Sequence, residues 1–237
     1  MSFKFKQFSI QQDKTAMKVG TDGVLLGAWA TIDHDPYNIL DIGGGTGLVS
    51  LMLAQRCDAE QIDAIEIDAS AYEQAVDNFE NSPWNDRLFC FHTSLDDFMD
   101  ELEDEAYDLI VSNPPFYSEN VSSGDAARDV ARQNQSLPFE DLCEAASLLL
   151  SEDGILAVII PYKEEENFVR LAIQNELFPI KMTRVKGTPT SEIKRSLLAF
   201  GRISSVDLPV DEIAIETARH EYTPEYIALT KDFYLKM

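Results

Sequence analysis

From residue 38 onward the chain is patterned on two length scales. Short, nearly continuous apolar runs occupy 39–42, 62–67, 88–92, 107–112, 155–160, 180–185 and 196–200. Their length suits a buried strand. Longer, helix-like stretches lie between and after them, at 46–56, 69–81, 95–102, 138–150, 164–177 and 224–233. Strands alternating with helices of this size predict βαβ units. Strands without polar interruption read as covered on both faces, as in a parallel sheet. The pattern therefore predicts an α/β, doubly wound, mostly parallel seven-stranded sheet. Residues 1–37 follow a different pattern. Phe3, Phe5, Phe8 and Ile10 alternate weakly, a polar, turn-rich segment follows, and a short helix is expected at 24–29. This part is too short for a domain of its own. It is expected to form an N-terminal flank or lid (1–37) on one domain (38–237).

Composition adds a constraint. The 237 residues hold 42 acids against 19 Lys and Arg, a net charge of −23. Taken alone, that opposes a nucleic-acid partner. The distribution softens the objection. Residues 58–108 carry seventeen Asp and Glu against Arg87, whereas residues 181–202 carry six Lys and Arg against Glu192. Residues 1–20 carry four Lys against Asp13. A charge run can also be no more than a solvated face. Cys57, Cys90 and Cys143 lack the number and spacing of a disulfide framework or zinc site. No apolar run approaches the roughly 18 residues of a membrane span. The expectation is a soluble, cytoplasmic protein.

Two punctuation marks at strand ends carry candidate chemistry. The first is Asp41-Ile42-Gly43-Gly44-Gly45-Thr46-Gly47, between the first predicted strand of the domain and its helix. Glycines there permit positive φ and close approach of a ligand to the backbone. The dinucleotide pattern G-x-G-x-x-G fails, because its third glycine position holds Leu48. The next strand ends at Glu66, a carboxylate placed to accept both hydroxyls of a ribose. The second mark is Asn113-Pro114-Pro115-Phe116. Neither proline can donate to a ladder, so the strand must turn there. The Asn113 side-chain oxygen and the Pro114 carbonyl make two acceptors, and Phe116 offers a stacking ring. Two acceptors aimed at the hydrogens of a planar amine favour its change to a tetrahedral nucleophile. No metal or covalent nucleophile is required, and His34, His92 and His220 show no ligand spacing.

The D-x-G-x-G-x-G loop resembles the donor loop of S-adenosylmethionine-dependent methyltransferases. That resemblance implies S-adenosylmethionine as cofactor, held by Gly43, Gly45 and Gly47, with Asp41 near its methionine part and Glu66 on its ribose. The family carries an acid after the third strand that meets the donor's adenine. Here Leu95 occupies that position and Asp96 follows it. Either Asp96 serves after a small shift, or backbone N–H groups make the contact, or Asp96 and Asp97 are simply first-turn helix acids. The turn resembles the N-P-P-[FYW] motif of amino methyltransferases that act on planar nitrogens.

That class includes adenine-N6, rRNA guanine-N2 and protein-glutamine N5 methyltransferases. The flanks narrow it. Residues 18–29 (KVGTDGVLLGAW), 81–84 (NSPW) and 228–235 (ALTKDFYL) resemble bacterial enzymes that methylate N6 of adenosine 37 in tRNA1(Val). This resemblance runs nearly end to end and implies that Thr21 and Asp22 lie over the donor. The implied partner is a tRNA anticodon loop, whose unpaired adenine can be splayed into a pocket. Its phosphates need basic residues. Candidates are Arg128, Arg132, Lys194, Arg195, Lys4 and Lys6. A glutamine methyltransferase of release factors would suit the acidity better, and a donor-binding RNA chaperone is the non-enzymatic alternative.

Overall fold

The computed structural model describes residues 2–15, 18–102, 106–115, 137–204 and 207–237. An N-terminal hairpin of β1 (Ser2–Lys4) and β2 (Ser9–Gln11) leads to α1 (Thr21–Trp29). The alternating body follows: β3 (Asn38–Ile42), α2 (Leu48–Arg56), β4 (Gln61–Glu66), α3 (Ala69–Glu80), β5 (Leu88–His92), α4 (Leu95–Glu101) and β6 (Tyr107–Ser112). Then come α5 (Phe139–Leu149), β7 (Leu150–Pro161), a 3-10 turn at Tyr162–Glu164, α6 (Glu165–Gln174), β8 (Phe178–Lys186) and β9 (Ile193–Gly201). The chain ends with β10 (Val210–Ala214), a small ribbon of β11 (Glu216–Ala218) and β12 (Glu221–Tyr222), and α7 (Pro224–Thr230).

The large sheet has the order β10-β8-β9-β7-β6-β3-β4-β5. β9 runs antiparallel to both neighbours, and every other pairing is parallel. All seven expected strands are present. The eighth, β10, was not expected. Its sequence Val-Asp-Glu-Ile-Ala buries only Ile213 among its apolar side chains, and an edge strand needs no more cover than that.

Alternate residues of each strand feed opposite layers, as the pleat requires. Ile39, Val111, Ala157, Ile159 and Leu197 join α1 and α2 in one apolar cluster. Leu40, Ile110, Val158, Leu198 and Phe168 join α5 and α6 in the other. Phe5, Phe8 and Ile10 belong to the first cluster, so the N-terminal hairpin shares the core of the sheet. α1 is buried from Gly23 to Trp29. A Cβ on Gly27 would stand 2.8 Å from Met52 Sδ, so glycine is what lets α1 lie this close to α2. Among the described residues no helix is long and apolar enough to cross a membrane.

From β3 the chain winds outward through β4 to β5, then returns to place β6 on the other side of β3. The helices that follow β3 and β6, α2 and α5, pack on opposite faces of the sheet, the arrangement that leaves a crevice at the strands' carboxyl ends. Open α/β sheets bind ligands at such a switch point.

Candidate active site

The loop after β3 forms one side of the crevice. Gly43, Gly45 and Gly47 have φ of 76°, 58° and 75°. At Gly47 the backbone caps α2 in the left-handed region, and a Cβ would lie 2.4 Å from the ring of buried Phe79. At Gly43 and Gly45 a Cβ would meet none of the described residues within 4 Å, so among these residues this surface of the loop is open. The N–H groups of Gly43 and Gly44 both donate to the Ile65 carbonyl, at 3.0 and 3.1 Å, and tie the loop to β4. Glu66 follows at the end of β4. Its carboxylate accepts from Gly45 N–H (2.9 Å) and Asp68 N–H (2.8 Å), which fixes its orientation at the loop.

Asp41 lies beneath the loop, buried at 2% exposure. Its Oδ2 accepts from the Ser50 hydroxyl (2.6 Å) and the Ser50 N–H (3.2 Å). Burial pushes its carboxyl up to about 6 against the pull of those two bonds, and the charge of Glu66 adds to the rise. Cys90 senses the same field: burial, then Glu66 and Asp41, push its thiol up to about 12. The described partners of the two carboxylates are hydrogen-bond donors, not cations. The loop is thus an electronegative cradle with an open backbone surface. It suits a ligand that brings hydroxyls to Glu66 and positive charge to the pair.

The Asn113 turn forms the other side. Ser112 donates its hydroxyl to the Ile42 carbonyl (2.8 Å), which pins the end of β6 to the end of β3. Asn113 and Pro115 are half-buried and Pro114 is buried. Two positions past Val111, Asn113 continues the face toward α1. A Cβ on Gly23 would lie 3.9 Å from the Asn113 amide and 3.1 Å from Leu48. The first turn of α1 therefore closes over both the Asn113 turn and the start of α2. Thr21 and Asp22 begin that turn. Asp22 Oδ2 meets Arg195 Nε at 2.8 Å. Arg195 reaches this edge because β9 is antiparallel: it begins where its neighbours end, with Arg195 opposite Pro161 of β7.

Asp41, Gly43, Gly45, Gly47, Glu66, Thr21, Asp22, Asn113 and Pro114 all come together at this edge, with Lys194 and Arg195 beside them. Lys194 is exposed and stands 3.3 Å from Glu192. Asp96 is exposed in the first turn of α4, one strand beyond Glu66, while Leu95 points into the core. Ser94 caps that helix through Asp97 N–H, so Asp96 is not spent on the cap. Lys4 is exposed on β1. Lys6 donates to the Lys231 carbonyl near Gln55 and Arg56, at the end of α2 remote from the glycine loop. Phe116, Arg128 and Arg132 lie outside the described residues.

Two supporting residues were not anticipated. Ser50 interrupts the apolar run of α2, and a lone polar residue in a buried stripe was the available signal. Asn78 of α3 donates to the Thr46 carbonyl (2.8 Å) and accepts from Gln11 N–H (2.8 Å), so it joins the N-terminal hairpin to the glycine loop. Only the folded chain brings residues 11, 46 and 78 together.

Comparison with known proteins agrees with this geometry. The profile of the methyltransferase small-domain family matches residues 23–165. A Flavobacterium johnsoniae protein named tRNA1(Val) (adenine(37)-N6)-methyltransferase is 68% identical, over 99% of this chain and 100% of its own length. A protein of the same name from Flavobacterium psychrophilum is 69% identical, with the same coverage. A crystal structure from Agrobacterium tumefaciens, described as a predicted O-methyltransferase, superposes with a TM-score of 0.69. The match covers 90% of this chain and 96% of the other at 19% identity, a likeness of fold.

Proposed function

Because the chain belongs to the methyltransferase small-domain family, and within it to the tRNA1(Val) (adenine(37)-N6)-methyltransferases, we propose that it methylates the N6 amine of an adenine in tRNA. The proposed nucleotide is adenine 37 in the anticodon loop of tRNA1(Val), the donor is S-adenosylmethionine, and the setting is the cytoplasm. One observation carries the substrate: likeness to enzymes so named extends over 99% of this chain and the whole of the relative. The Asn113 turn by itself supports only the reaction type.

Bound S-adenosylmethionine supplies an electrophilic methyl group on a sulfonium. Glu66 would accept the ribose hydroxyls, and the N–H groups of Gly45 and Asp68 hold its carboxylate in place for that. The open surfaces of Gly43 and Gly45 let the backbone approach the donor closely. Asp41 and Glu66 together favour a cationic ligand. Gly47 keeps this arrangement by starting α2 in the left-handed region. Thr21 and Asp22 would cover the donor from α1, and Asp96 lies on the side where the donor's adenine would rest.

On the acceptor side, an exocyclic amine is a poor nucleophile because its lone pair is delocalised into the ring. Asn113 Oδ1 and the Pro114 carbonyl each accept one of its N–H bonds, which stabilises the nitrogen as it becomes tetrahedral and gains positive charge. Phe116 is assigned to stack on the adenine. By holding the amine in one orientation at the strand end, the Asn113 turn would add the rate gain of proximity and orientation. Lys194 and Arg195 stand at the same edge and are assigned to tRNA phosphates, along with Arg128 and Arg132. Lys6 faces the remote end of α2, so its contribution, with Lys4, is long-range attraction.

The test is methyl transfer from labelled donor to tRNA1(Val) transcript, to the same transcript with guanine at position 37, and to a release factor. Label on the first alone is expected. Label on the release factor alone would overturn the proposal.

A further inference from the structure

β7 outruns its neighbour. Val158 lies opposite Ser112, the last residue of β6, yet β7 continues to Pro161. Three more residues carry the chain about 10 Å past the start of the Asn113 turn. Tyr162 is placed there, 37% exposed. The Arg184 guanidinium lies over its ring, 5.4 Å from the centroid.

Arg184 comes from β8, opposite Ser196 of β9. Its Nη2 and Nε stand 2.8 and 3.2 Å from Glu165 Oε1. Glu165 is buried at 6% exposure, and Ser196 donates its hydroxyl to the other carboxylate oxygen. A buried carboxylate thus holds the guanidinium as a fixed plate, while Nη1 takes no part in the clasp. Lys163 and Lys194 lie next to the pair, both more than 60% exposed and each in a surface ion pair, with Glu164 at 3.7 Å and Glu192 at 3.3 Å. Arg195, next to Ser196, reaches the opposite face of β9 toward Asp22 and α1. An aromatic face, an oriented guanidinium and flanking ammonium groups at a carboxyl edge form the chemistry that recognises a nucleotide: ring for base, cations for phosphate.

We propose that Tyr162 and Arg184 form a second nucleotide subsite at the same carboxyl edge as the Asn113 turn, on the sheet face away from α1. Tyr162 stacks on the base adjoining the target adenine, and Arg184 with Lys163 takes the neighbouring phosphate. Glu165 and Ser196 are positioning residues that act through Arg184. The inference rests on the proposed RNA methylation and names where that RNA is gripped outside the reacting base.

The experiment uses the full chain, tRNA1(Val) transcript, and two anticodon stem-loops carrying 2-aminopurine at position 36 or 38. Tyr162→Ala is expected to raise KM for tRNA on the order of tenfold, the scale of one lost stacking contact, while kcat and donor affinity hold. Tyr162→Phe keeps the ring and restores KM. Glu165→Gln is expected to raise KM in the same direction. One of the two 2-aminopurines should be quenched on binding the wild type and Tyr162→Phe, but not Tyr162→Ala. A KM for Tyr162→Ala within twofold of wild type overturns the subsite, as does quenching at neither flank. If the wild type methylates no tRNA, the underlying reading falls instead. If it methylates and Tyr162→Ala is indifferent, only the subsite falls.

Discussion

Gly45 and Gly47 share a left-handed backbone but not a neighbourhood, and alanine at each should fail in a different assay. At Gly47, φ of 75° costs an L-residue about 1–2 kcal/mol. The added Cβ would also lie 2.4 Å from Phe79 Cε1 and 2.9 Å from Cζ. Phe79 is buried at 2% exposure and has no free direction in which to swing. Overpacking of this kind costs about 1–3 kcal/mol. Together the terms predict that Gly47→Ala loses about 2–5 kcal/mol of stability. At Gly45 only the backbone term of about 1–2 kcal/mol applies, because a Cβ would meet none of the described residues within 4 Å. That open space is the surface assigned to the donor. Gly45→Ala should therefore be the more stable variant and the poorer binder, with donor-product affinity reduced on the order of tenfold by a methyl group in the contact. Urea unfolding separates the stabilities through the midpoint at constant m. Titration calorimetry with S-adenosylhomocysteine separates the affinities. If Gly45→Ala is the less stable of the two, the packing argument is wrong. If Gly45→Ala binds as wild type does, the donor does not lie across this surface.

Asp41 predicts a pH dependence with a definite sign. Its folded carboxyl is raised to about 6 from an ordinary 3.8, so its stabilising contribution is complete below pH 4 and is lost as pH rises through 6. Relative to Asp41→Asn, the wild type should lose about 3 kcal/mol across that window, which unfolding at pH 4 and pH 7 would measure. A flat difference would refute the assignment. Asn113→Ala removes one acceptor from the amine and should lower kcat by about 100- to 1,000-fold, with donor affinity near wild type. Weakened donor binding in parallel would make Asn113 a donor residue. The Asp22–Arg195 pair joins side chains 28% and 33% exposed. A double-mutant cycle on stability should therefore return less than about 1 kcal/mol of coupling, and a larger value would mean that the pair holds α1 in place.

Much of the fold was legible because its signals are local. Seven strands announced themselves as apolar runs, and both sides of the crevice as residues with unusual backbone demands: three positive-φ glycines and two consecutive prolines. β10 was not legible, since an edge strand of Val, Asp, Glu, Ile and Ala needs only Ile213 covered. The nomination of Lys194 and Arg195 rested on charge alone. Their place at the carboxyl edge follows from the reversed direction of β9, and no short window encodes direction. Lys6 shows the converse, since a basic residue near the N-terminus lies beside Lys231 at the remote end of α2.

The amino-acid sequence by itself determined the glycine loop, the acid after the second strand of the domain and the Asn113 turn. Each depends on backbone freedom and on residues within a few positions of one another. It also carried the family resemblance, through motifs spread from residue 18 to 235. Tertiary structure alone decided the partners. Ser50 under Asp41, Gly23 against Asn113, Arg195 on Asp22 and Tyr162 against the Arg184 held by Glu165 join residues up to 173 positions apart. Which polar groups meet at that range is settled by how strands are ordered and directed in the sheet, because burial forces each side chain to find its partner wherever the packing brings one.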